Sequence, residues 1–170
     1  VLQILNLDLK KVKNLFNNVN SLSGRGKIHT IKRFQKNFTL LDESYNANPL
    51  SVKNAIINLS KIKKYKQKKY LLLGDMLELG KKSDFYHKSL SKIINRTDID
   101  KLFVYGEKAL KTYKYIYAGK RGNILQNKND FDEIFSKVLQ NKDFLMIKGS
   151  NATGLSKISQ NLIKGTSNAF

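Results

Sequence analysis

Cysteine is absent from this 170-residue chain, which excludes disulfides and thiolate metal sites. Histidine occurs only at His29 and His87, too few for a typical histidine-rich metal cluster. No apolar run approaches the ~20 residues that a membrane-spanning helix needs. The opening Val1-Leu2-Gln3-Ile4-Leu5 is too short for a signal-peptide core and carries no basic leader. A soluble, cytoplasmic protein is therefore expected. Acidic residues are also scarce: 13 Asp and Glu stand against 32 Lys and Arg, giving a net charge of +19. Within that excess, arginine is confined to Arg25, Arg33, Arg96 and Arg121. Base-edge readout relies on two-pronged arginine contacts, and single-strand binders interleave aromatics with basic residues. The lysines here are instead scattered among Asn and Ile, as in an AT-rich coding bias, so no specific nucleic-acid partner is expected. A basic surface would still favour the approach of anionic nucleotides.

What remains is a composition for folding. A hydrophobic content of 41% with 10% aromatics suits one globular domain with a real core. The chain is organised around Leu40-Leu41-Asp42-Glu43-Ser44-Tyr45-Asn46-Ala47-Asn48-Pro49. Phe38 to Leu41 are short and apolar, as in a buried strand. Asn48 before Pro49, the one proline, is a helix start, because Asn caps well and Pro at the first helical position loses no useful donor. Val52, Ala55, Ile56, Leu59 and Ile62 then recur at helical spacing. Asp42 to Asn48 thus lie where a strand's C-terminal end meets a helix N-terminus, the ligand crevice of an open α/β sheet. An ordinary turn using Asn and Ser for its geometry fits the same residues.

Upstream, Asp8 can cap a helix carrying Leu9, Val12, Leu15, Phe16 and Val19, and Asn20 to Gly26 reads as a linker and hinge. Lys27 to Ile31 and Phe38 to Leu41 form two strands around a basic turn at Arg33 to Asn37. Downstream, Tyr70 to Leu73 is a continuous apolar strand ending at Gly74-Asp75. Ser83 should cap a helix that turns Phe85, Leu90, Ile93 and Ile94 inward, with His87 as a packing or surface residue. Leu102 to Gly106 is a third buried strand, followed by a helix over Ala109 to Tyr117. Ile124-Leu125 suits an edge strand, and Asp130 should cap a helix bearing Phe131, Ile134, Phe135 and Val138. Phe144 to Ile147 is the last strand, with Lys148-Gly149-Ser150 at its end, a fair anion site. Leu155, Ile158 and Leu162 mark a closing helix, with a frayed tail from Gly165 onward. The alternation predicts an α/β class: a Rossmann-like three-layer αβα domain with a mainly parallel sheet. The polar loops at Asp42 to Asn48, Gly74 to Gly80 and Lys148 to Asn151 should gather along one sheet edge.

Four stretches in order, Gly24-Arg25-Gly26, Asp42 to Pro49, Leu73-Gly74-Asp75-Met76-Leu77-Glu78-Leu79-Gly80 and Ile147-Lys148-Gly149-Ser150, carry a resemblance. Together they are similar to the C-terminal domain of the Mur ligases, in the branch joining D-alanyl-D-alanine to UDP-N-acetylmuramoyl-tripeptide. The resemblance runs from about Gly24 to the end of the chain. It implies residues 1–22 as the tail of a central ATPase domain with its hinge, and 23–170 as the Mur ligase C-terminal domain. It implies an ATP-dependent carboxylate–amine ligase of peptidoglycan synthesis that activates the tripeptide carboxylate as an acyl phosphate for attack by the dipeptide amine.

No G-x-x-x-x-G-K-[ST] loop occurs in these residues. ATP and Mg²⁺ would therefore be held mainly by the central domain, and these 170 residues alone should be inactive and monomeric. No catalytic or metal-ligating residue is assigned within them. The resemblance places Arg25 on an ATP phosphate, and Glu43, Tyr45, Asn46 and Asn48 on the nucleotide's ribose and base side. It makes Asp75, Glu78, Lys148 and Ser150 substrate contacts, with the Asp75 and Glu78 loop facing the dipeptide. Two positions depart from the family pattern: Glu43 stands where Asp is usual, and Asn151 where Arg follows Lys-Gly-Ser. The competing readings are a non-catalytic Rossmann-like module for nucleotides or nucleic acid, and a folate polyglutamate-type ligase domain.

Overall fold

A computed structural model of the chain describes residues 22–165; the helix expected after Asp8 and the tail beyond Gly165 lie outside them. Strand β1 (Lys27–Arg33) and strand β2 (Lys36–Glu43) form an antiparallel hairpin. Its turn is the pair Phe34-Gln35, with left-handed φ values of 54° and 58°, which match strand twist in a two-residue hairpin. The turn is tighter than the expected Arg33 to Asn37, because the ladder runs out to the Arg33–Lys36 pair.

The remaining elements alternate: α1 (Pro49–Lys61), β3 (Lys69–Gly74), α2 (Ser83–Asn95), β4 (Lys101–Tyr105), α3 (Ala109–Tyr113), β5 (Arg121–Leu125), α4 (Lys128–Glu133), β6 (Phe144–Lys148) and α5 (Leu155–Lys164). The sheet order is β1-β2-β6-β3-β4-β5, and every pairing from β2 to β5 is parallel. This is the expected α/β architecture with one antiparallel edge. The apolar run of β3 is sorted by the strand's two-residue period. Leu71 and Leu73 pack with Val52, Ile56, Leu59, Leu90 and Ile94 on the face covered by α1 and α2. Tyr70 and Leu72 pack with Phe131, Ile158 and Leu162 on the opposite face. Burying each of these leucines contributes about 1.5–3 kcal/mol, which makes the twice-covered strand the centre of the fold.

Several local expectations change. Helix α3 stops at Tyr113 rather than Tyr117. Beyond it the backbone bonds tighten to i→i−3, from Tyr115 N–H to Thr112 O and from Ile116 N–H to Tyr113 O, and side chains take the carbonyls that follow: Arg121 donates to Lys114 O and Ile116 O, and Asn95 to Tyr115 O. Ser83 does not cap α2, because the 3₁₀ turn Gly80–Lys82 runs straight into it and no side chain caps it. The buried stripe of α2 is His87, Leu90, Ser91 and Ile94. Phe85 falls off that stripe and is exposed, not inward. Asp130 is not the cap of α4 but its third residue; Asn127 is the cap, and the two side chains exchange bonds with each other's backbone N–H groups in a capping box.

Candidate functional site

In a parallel sheet all C-terminal strand ends open on one edge, and here β2, β6, β3, β4 and β5 deliver their loops to it. Asp42, the penultimate residue of β2, is 1% exposed. Its Oδ2 accepts from Gly24 N–H at 3.0 Å, and its Oδ1 from Ser44 Oγ at 2.6 Å and Ser44 N–H at 3.3 Å. Backbone bonds from Gly26 N–H to Asp42 O and from Tyr45 N–H to Gly24 O complete the fastening. Gly24 to Gly26 is therefore bound to the end of β2, and any hinge at this junction would lie before Gly24. The result sets Arg25 beside Tyr45: the guanidinium carbon lies 4.5 Å from the ring centroid, both side chains exposed. Asn48 caps α1 as expected, accepting from Ser51 N–H at 2.8 Å, while Asn46 Oδ1 accepts from Ala47 N–H.

Lys148 and Ser150 lie beneath this loop rather than on it. Lys148 is 3% exposed, and its Nζ donates to Asn46 O at 2.6 Å and approaches Glu43 O at 3.4 Å and Glu43 Oε2 at 3.5 Å. Burial holds its ammonium below the ordinary lysine range, with the Glu43 carboxylate pulling the other way. Ser150 is a junction: its Oγ accepts from Leu77 N–H at 3.0 Å and donates to Ala47 O, while its N–H bonds Asp75 O. It ties together all three loops singled out in the sequence. Their close approach needs Gly74, where an added Cβ would stand 2.5 Å from a Leu155 methyl and 3.5 Å from the Gly149 Cα.

Asp75 and Glu78 sit in different settings. Asp75 Oδ1 accepts from Ala109 N–H at 2.7 Å at the start of α3. Glu78 is exposed, with a left-handed φ of 63°. Asn151, where the family pattern has Arg, is exposed and accepts from Ser156 Oγ at 2.8 Å. Beside these loops opens a cleft of about 550 Å³, walled by Leu77, Tyr105, Leu110 and Ile124, with Asp75 and Glu107 as the acidic residues of its lining. Sequence reasoning missed Glu107, which stands just past the Gly106 that ends β4, and gave no role to Asp42, the first acidic residue of the Asp42 to Pro49 stretch. Among the described residues no group of three or more His, Asp or Glu side chains is placed to hold a metal ion. Among the same residues no helix is long and apolar enough to cross a membrane.

The sheet order and its cross-linked edge define a Rossmann-like α/β domain. Residues 24–151 match the family model described as Mur ligase, glutamate ligase domain, and the chain belongs to that family. A UDP-N-acetylmuramoyl-tripeptide–D-alanyl-D-alanine ligase of Buchnera aphidicola subsp. Acyrthosiphon pisum is 33% identical over 132 residues, 76% of this chain. The Bacillus subtilis protein of the same name is 32% identical over 133 residues, 74% of this chain. The chain spans 28% of the length of each. Among solved structures, MurF ligase from Thermotoga maritima in complex with ADP superposes with a TM-score of 0.72 at 20% identity, covering 96% of this chain and 35% of that one. A bifunctional folylpolyglutamate synthase/dihydrofolate synthase from Yersinia pestis, complexed with AMPPNP and Mn ion, reaches 0.60 at 14% identity, covering 95% and 37%. These likenesses establish the fold.

Proposed function

We propose that the chain is the C-terminal portion of a cytoplasmic ATP-dependent ligase that adds D-alanyl-D-alanine to UDP-N-acetylmuramoyl-tripeptide. The observation that carries this reading is the convergence of the three motif loops on Ser150, at the sheet edge where α/β domains bind ligands. The 33% identity to a relative of that name supports the same substrate pair. Arg25, held over Tyr45 on a fastened loop, is the group to meet an ATP phosphate when this domain closes on a preceding one. Glu43, Tyr45, Asn46 and Asn48 flank the nucleotide's ribose and base. Asp75 and Glu78 face the dipeptide, whose ammonium suits the carboxylate-lined cleft. Lys148 and Ser150 serve by holding these loops in place. Mg²⁺ is assigned to the preceding domain, since the carboxylates described here do not gather into a metal-holding group.

The test is an assay of the gene's full-length product for ATP- and D-alanyl-D-alanine-dependent extension of UDP-N-acetylmuramoyl-tripeptide, beside the 170-residue chain alone. The full-length product should ligate and the chain alone should not. Arg25→Ala should lower kcat by about two orders of magnitude with an unchanged melt, as for a charge-assisted contact made in the transition state. Glutamate transfer to a folate in place of dipeptide transfer would favour the folate polyglutamate-type reading.

A further inference from the structure

His87, expected as a packing or surface residue, is fully buried, and both its ring nitrogens are engaged. Nδ1 lies 2.9 Å from Ser83 O, which can only accept, so Nδ1 carries the proton. Nε2 is left as an acceptor and takes the Met76 N–H at 3.0 Å. The carbonyl of His87 accepts from Thr112 Oγ1 at 2.7 Å, joining α2 to α3. The start of α3 is in turn held by Asp75 Oδ1 through Ala109 N–H. These bonds close a circuit that runs from Asp75 to α3, from α3 to α2, and through the imidazole back to Met76, the next residue after Asp75. The carboxylate inside that circuit is confined on its other side too. Gly106 has φ 107°, and a Cβ there would lie 2.5–2.6 Å from the Asp75 carboxylate atoms.

We propose that His87 is a positioning residue: by holding the Met76 N–H it sets the place of the Asp75 carboxylate in the cleft, and so governs binding of the amine-bearing substrate. The proposal rests on the functional reading above for the identity of that amine, D-alanyl-D-alanine. A buried N–H without an acceptor costs about 1–3 kcal/mol, so an apolar side chain at this position would leave Met76 free to seek another partner. The loop would then move, carrying Asp75 with it.

Two substitutions separate this role from simple packing. In His87→Gln the amide oxygen falls near the Nε2 position and can still accept from Met76. In His87→Asn the amide reaches only as far as Nδ1 and cannot. In the full-length ligase, His87→Asn should raise KM for D-alanyl-D-alanine about tenfold or more, with KM for ATP and kcat within about threefold of wild type; this corresponds to about 1.4 kcal/mol of binding. His87→Gln should stay within about threefold in all three. In the chain itself, amide hydrogen exchange at Met76 should accelerate in His87→Asn and remain slow in His87→Gln. Equal behaviour of the two variants, or KM values for ATP and dipeptide rising together, would overturn the proposal. Should His87→Asn fail to fold, Gly106→Ala displaces the same carboxylate from the opposite side and should raise the dipeptide KM selectively; an unchanged KM there would also count against it. Absence of ligation by the wild-type protein would sink the functional reading alone, because Met76 exchange reports the latch without it.

Discussion

Replacing Asp42 by Asn tests the anchor of the loop that carries Arg25 with one atom exchanged. The carboxylate is 1% exposed and accepts three bonds, two from Ser44 and one from Gly24 N–H. In Asp42→Asn the amide oxygen can keep the Ser44 donors. The new NH₂ group then faces the buried Gly24 N–H, donor against donor. A hydrogen bond to a charged acceptor is worth about 1.5–3 kcal/mol, and an unsatisfied buried donor costs about 1–3 kcal/mol. Removing a buried charge returns part of its desolvation cost, so a net loss of about 2–3 kcal/mol is expected. At ~2–4 °C per kcal/mol for a domain of this size, the melt should fall on the order of 5–10 °C. The local signature is sharper: Gly24 amide exchange should accelerate while amides of β3 remain protected. Ser44→Ala, which removes one donor and leaves the carboxylate on two backbone N–H groups, should cost only about 1 kcal/mol. A melt within about 2 °C of wild type, with Gly24 still protected, would refute the idea that Asp42 holds the Arg25 loop.

Two pH-dependent effects follow from burial. Because burial lowers the Lys148 pKa, the unfolded chain holds that proton more tightly, and this residue's contribution to stability improves as pH climbs from the lowered value toward 10.5. Lys148→Met should remove the rise, so denaturant unfolding of both proteins across pH 7 to 10.5 should show wild type gaining on the variant; a constant difference would refute it. The Tyr70 phenol is pushed up to about 12 by burial, reinforced by the Asp143 and Asp100 carboxylates. Its stabilisation is complete below the ordinary value of 10.0 and lost as pH rises through about 12. In a spectrophotometric titration Tyr70→Phe should abolish the latest-titrating phenolate, and an unchanged profile would show that another tyrosine is responsible.

Strong, local signals carried most of the fold. The Asn48-Pro49 start of α1 and the apolar runs of β3, β4 and β6 needed only propensity and hydrophobic period, and parallel connectivity then placed three loops on one edge. What failed were ends and faces, which depend on distant partners. The end of α3 is a change to i→i−3 backbone bonds, and the carbonyls beyond it are taken by Arg121 and Asn95, neither of them on that helix. Phe85 looked like core because it is aromatic, but the stripe of α2 is defined by the polar His87 and Ser91 as much as by Leu90 and Ile94. The packing of His87 was legible but its bonding was not, because its partner, the Met76 N–H, is a backbone group that no side-chain pattern reveals. At the sheet edge, the motifs located three loops that do converge but did not say which side chains face outward.

That distinction decides how the motif residues should respond to mutation. Asp42, Lys148, Ser150 and His87 are buried, and each bonds a backbone group of a neighbouring loop. Asp75 occupies both settings, bonded to Ala109 N–H yet lining the cleft. Arg25, Tyr45, Asn46 and Glu78 are exposed along the same edge. Losing an internal bond removes stabilisation whether or not a ligand is present, so the first group should move the melt and, through the loops, the kinetics. Losing an exposed contact matters only when something occupies the edge, so the second group should move kinetics alone. Arg25 is the clearest member of that second group, because its stacking on Tyr45 is an exposed contact of modest worth, on the order of 0.5–1 kcal/mol. Its exchange for the proposed phosphate contact would therefore cost little, as the proposed closure onto a preceding domain would require.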